Sequence, residues 1–217
     1  MKHESRGHAL AAVKAACNLI PFVGGAIASL IGDYIPVSTQ RSVEITMELL
    51  AEKLKTLEGR IDVDAVNKED FSELFKSCYL IVVRSQREEK LRAAANLLAN
   101  LLLKTSDPAK VSYEELDHFV RCLDALSIGA ISVLGAARAI AISAPMGGQG
   151  HFHFDQLRDA FPSYDVSLTM SLVSELRGLN LLHVQEAGIK VPDYGNYLLD
   201  LTPIGLRFVE RFIEGSF

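Results

Sequence analysis

Apolar side chains recur at steps of three and four along most of this chain, with polar ones between them, so the pattern predicts amphipathic α-helices. The first helical spacing covers residues 9–20. Pro21, with its fixed φ and missing donor, resets the chain, and residues 22–31 resume as a second short helix. After Pro36 a helix runs to about Leu57, with Val43, Met47, Leu50, Leu54 and Leu57 in one stripe and Gly59 as its stop. Residues 59–70 are polar and turn-rich and read as a loop. Phe71, Leu74, Phe75, Cys78, Tyr79 and Val82 then repeat with clean amphipathic spacing. Ser85 with Glu88 has capping-box spacing and predicts a helix from about Gln86 that turns Leu91, Ala94, Ala95, Leu98, Leu101 and Leu102 inward. TSDPAK breaks that helix. Ser112 with Glu115 repeats the capping spacing, and Leu116, Phe119, Val120, Leu123 and Leu126 form the next apolar face. Helices joined by short connections predict an all-α bundle over residues 1–126.

From Ser127 the pattern changes. SIGAISVLGAARAIAIS is apolar nearly all round, with Arg138 its only charge, and it ends at Pro145 and the glycine-rich MGGQG. That turn lacks Gly-Lys-Ser/Thr, a strand before it and a helix directly after it, so it reads as a hinge or connector and not as a phosphate loop. HFHF follows as a short β-like run, then Asp155 as the candidate N-cap of QLRDAF, then a helix over about residues 165–177. The stripe of that helix is Leu168, Leu172, Val173, Leu176 and Leu179, and Gly178 and Asn180 end it. LLHVQ and NYLLDL read as two strands joined by a long loop, and Thr202 before Pro203 is an N-cap and first-turn proline opening a last helix.

The order helix, short strand, helix, turn, helix, strand, loop, strand, helix, with the closing phrase LTPIGLRFVERF, resembles the winged-helix superfamily over roughly residues 127–214. The fold class expected is therefore mainly α: a helical bundle (1–126) followed by a winged-helix module (127–217) with a small β-hairpin. The resemblance implies that residues 165–177 are a recognition helix and that the loop 185–196, with Lys190, is a wing. The contact residues it implies are Ser167, Met170, Ser171, Ser174 and Arg177. PFVGGAIASLIGDYIP followed by helices is similar to uncharacterised bacterial proteins related to the Abi-alpha group associated with abortive infection, a form of phage defence.

Within residues 15–37, eighteen consecutive residues between Lys14 and Asp33 carry no charge. Gly24, Ala28 and Gly32, and Gly25 and Ser29, follow the small-xxx-small spacing that lets helix backbones approach closely. A bilayer span needs about twenty apolar residues, and Asn18, Pro21 and two adjacent glycines weaken this run. A hairpin buried in the bundle is the favoured reading. A segment that leaves the bundle for a membrane on activation and a constitutive span are the alternatives. The apolar run starts late and no small-x-small cleavage site follows it, so no signal peptide is expected.

Composition narrows the chemistry. Half the chain is apolar (49%) and the formal net charge is −5, which draws neither nucleic acid nor anionic lipid as a whole. Residues 151–217 hold 5 Lys and Arg against 9 Asp and Glu, so a winged helix here is poorly charged for duplex DNA. Cys17, Cys78 and Cys122 are odd in number, far apart and set among apolar neighbours, which predicts buried thiols in a reducing compartment. His151, His153, Asp155 and His183 tempt a metal reading, but nothing fixes a third ligand, and no metal or other cofactor is expected. No catalytic motif stands out. The expected function is non-enzymatic binding or regulation in the cytoplasm, through self-association or contact with another protein. The alternatives are a defence effector that acts at the inner membrane through residues 15–37, and a DNA-binding transcriptional regulator.

Overall fold

A computed structural model describes residues 37–62, 66–143, 151–185 and 197–216. The described chain is mainly helical and carries one three-stranded antiparallel sheet. It divides into two compact units between Asp124 and Ala125.

The first unit contains α1 (Val37–Thr56), α2 (Lys68–Arg84), α3 (Glu88–Leu101) and α4 (Tyr113–Ala125). Helices α1, α2 and α3 pack on one another. The expected stripe of α1 is buried at Met47, Leu50, Leu54 and Leu57 and half-buried at Val43. Helix α3 departs from the one-faced expectation: every residue from Ala93 to Leu101 is buried. Alanines at 93, 94, 95 and 99 give this helix a thin cross-section, so neighbours can approach it from several sides. Its start also differs. Arg87 occupies the cap and α3 begins at Glu88, not near Gln86. Ser85 is engaged elsewhere: its N–H donates to Ile81 to close α2, its carbonyl accepts from Ser42 Oγ at 2.9 Å, and its hydroxyl accepts from Arg87 N at 3.2 Å. Ser112 caps α4 as expected, accepting from Glu115 N at 3.3 Å.

A short backbone ribbon ties the turn after α1 to the turn after α3. Ile61 bridges Leu103, Asp62 N donates to Leu102 O, and Lys104 N donates to Arg60 O. Arg60 grips Asp107 with two bonds of 2.8 Å, the bidentate geometry that makes guanidinium–carboxylate pairs specific.

The second unit runs α5 (Ile128–Ser143), β1 (Phe152–His153), α6 (Phe154–Ala160), α7 (Val166–Gly178), β2 (Leu182–Gln185), β3 (Leu198–Leu201) and α8 (Pro203–Phe208), which continues into a π-helical turn (Val209–Ile213). Strand β3 lies between β1 and β2. Phe152 and Val184 both pair with Leu199, and all three side chains are buried, so this row faces the core. The near-uniform apolarity of α5 follows from its neighbours: it packs on α6, α7, β3 and the π turn. Its one charge, Arg138, donates to Glu210 and Glu214 at 3.1 Å each and so fastens α5 to the chain after α8.

The second unit departs from the sequence pattern at the start of α6 and on the inward stripe of α7. The N-cap of α6 is His153, whose N–H donates to Gln156 Oε1 at 2.9 Å; Asp155 lies one residue inside the helix and pairs with Arg158 at 3.1 Å. Strand β1 lasts only two residues, and the helix has to begin at Phe154 to deliver that ring to the core. Leu168, placed in the inward stripe of α7, is instead 44% exposed, and Thr169 is fully buried. The stripe Thr169, Leu172, Val173, Leu176 has the better helical phase, and Thr169 is admitted because its hydroxyl donates to Asp165 O at 3.1 Å.

Candidate functional site

Helix α7 is set by its ends. Asp165 Oδ1 accepts from Leu168 N at 2.7 Å, and Asn180, at φ 57°, turns the chain toward β2 in the left-handed region that asparagine tolerates. Glu175 reaches the start of α5, accepting from both the backbone N–H and the hydroxyl of Ser127. With the inward stripe committed to the core, the other side presents Ser167, Leu168, Ser171, Ser174 and Arg177 as exposed residues and Met170 as a half-buried one. The structure thus brings together on one helix all five contact residues that the resemblance implied.

The chemistry of that face is narrower than its composition. Ser171 Oγ donates to Ser167 O at 2.9 Å and Ser174 Oγ to Met170 O at 2.8 Å, so both hydroxyl protons are turned back into the helix. What remains is a smooth surface of small side chains with Leu168 and Met170 beside it and one cation, Arg177, at the far end. Leu168 is the residue the sequence reading missed, because its i, i+4 relation to Leu172 made it look inward.

On the outer side of the sheet, Asp200 stands between two histidines. His183 Nδ1 lies 3.2 Å from Asp200 Oδ1 and His151 Nδ1 lies 3.9 Å from Asp200 Oδ2. His153 pairs across to Leu198, and Asp155 belongs to α6, so the four residues weighed as ligands do not converge. Among the described residues no group of three His, Cys, Asp or Glu side chains is placed to hold an ion. Asp200 was not singled out in the sequence, yet a signal existed: pairing LLHVQ against YLLDL in antiparallel register sets His183 opposite Asp200.

In the first unit a cleft of about 330 Å³ opens where the N-termini of α2 and α4 meet the C-terminus of α3, over a floor that includes Leu101, Leu103 and Val111. Its polar groups are largely spoken for. Asn67 Oδ1 accepts from Glu69 N at 2.9 Å, and Lys110 Nζ donates to the carbonyls of Leu101 and Asn100. Burial lowers the pKa of Lys110. Tyr113 donates to Glu73 at 3.0 Å; burial first, then that bond and the charges of Glu73, Asp117 and Asp70, push its hydroxyl up to about 12. The helix ends therefore bind their own caps, and the cleft has no anion-binding cradle among these groups.

The two described cysteines are buried. Burial raises the Cys78 thiol to about 12, and raises Cys122 to about 11 against a lowering effect of Arg121. Thiols held protonated at neutral pH are poor nucleophiles.

Gly24, Gly25, Ala28, Ser29 and Gly32, Cys17, the MGGQG turn and Lys190 lie outside the described residues. No described helix by itself is long and apolar enough to cross a membrane. No family model, curated protein or solved structure matches this chain.

Proposed function

We propose that the second unit is a winged-helix contact module and that the chain is a non-enzymatic binding or regulatory protein, joined through the α7 face to another copy of itself or to another protein. The element order α5, β1, α6, α7, β2, β3, α8 supports the module assignment, since it follows the order that suggested the resemblance. The observation that carries the choice of partner is the α7 face. A duplex reader directs Arg, Lys, Asn or Gln at phosphates and base edges. Here the outward hydroxyls of Ser171 and Ser174 are already donated to the helix's own carbonyls, and Arg177 is the one cation of the contact set. Elsewhere in the described unit, Arg138 pairs with Glu210 and Glu214 and Arg158 with Asp155.

Phosphate neutralisation dominates duplex affinity, so a helix face with a single cation holds duplex weakly. An apolar side chain beside small, internally satisfied serines suits close packing against another protein surface. The test is titration of labelled duplex with the full chain at low ionic strength, run beside sedimentation of the protein alone and with cellular partners. No duplex retention, together with an assembly that Leu168→Asp disperses, is the expected result. Salt-sensitive duplex retention that Arg177→Ala reduces overturns the protein-contact reading.

A further inference from the structure

We draw no further inference here: the strongest candidate, the cleft where the N-termini of α2 and α4 meet the C-terminus of α3, offers acidic side chains and self-capped helix ends over an apolar floor, and nothing in the structure shows what occupies it.

Discussion

Three residues of the first unit show how much a single side chain can decide. Asn100 is fully buried on α3, and its amide satisfies both partners it meets: Nδ2 donates to Ala109 O at 2.8 Å and Oδ1 accepts from Val111 N at 3.0 Å. Replacing it removes the acceptor of the buried Val111 N–H, at a cost of about 1–3 kcal/mol, and the amide that donates to the half-buried Ala109 carbonyl, and it leaves a void in the core. Asn100→Ala is therefore expected to lower stability by about 2–4 kcal/mol in urea unfolding, whereas a change on the exposed side of α2 such as Lys76→Ala should stay within about 0.5 kcal/mol. Cys78 acts through protonation. Its folded thiol keeps its proton to about 12, against an ordinary value of 9.0, so in that window the folded state binds more protons than the unfolded chain. Stability must then fall as pH rises, by up to about 1.4 kcal/mol per pH unit for one such group. Tyr113, raised from 10.0 to about 12, steepens the fall above its ordinary value. Unfolding curves at rising alkaline pH should show that decline, and Cys78→Ala should flatten it; an unchanged slope would mean the thiol is not protected.

At the scale of elements, close approach governs the second unit. Gly205, in the first turn of α8, sits against the backbone of Leu181: a Cβ built there would lie 1.9 Å from the Leu181 carbonyl oxygen. That oxygen also accepts from Thr202, the cap of the same helix, so neither side can retreat cheaply. Gly205→Ala is expected to destabilise by about 3 kcal/mol or more, at the upper end of overpacking costs. Gly178→Ala, at the end of α7 with nothing within 4 Å of the added carbon, is its control and should leave the melting temperature unchanged or raised. Element identity was largely legible beforehand, because helical periodicity and the caps Ser112 and Thr202 are local signals. Element edges were less so. Ser85 has the spacing of a capping box, but its N–H is given to Ile81 to end α2 and its hydroxyl accepts from Arg87 N instead of from Glu88 N.

For the whole molecule, the division at Asp124 and Ala125 has a physical basis in two separate cores. Phe71, Leu74 and Phe119 are buried within the first, and Phe152, Phe154, Phe208 and Phe212 within the second. A fragment of residues 125–217 should accordingly fold alone, giving a helical circular-dichroism spectrum and a cooperative thermal transition. A fragment that stays unfolded would show that the second core depends on the first. What the sequence by itself determined is the class of structure and the sites of many of its turns: mainly helical, with three β-like runs in the C-terminal part and proline, glycine and capping residues between elements. Those features depend on neighbours a few positions away, where spacing alone carries the information. Tertiary structure decided the rest. It buried α3 on every side from Ala93 to Leu101, turned Leu168 out and Thr169 in, and brought His151 to the Asp200 that faces His183. Each depends on which surfaces meet across the fold, and the sequence pattern does not contain that pairing.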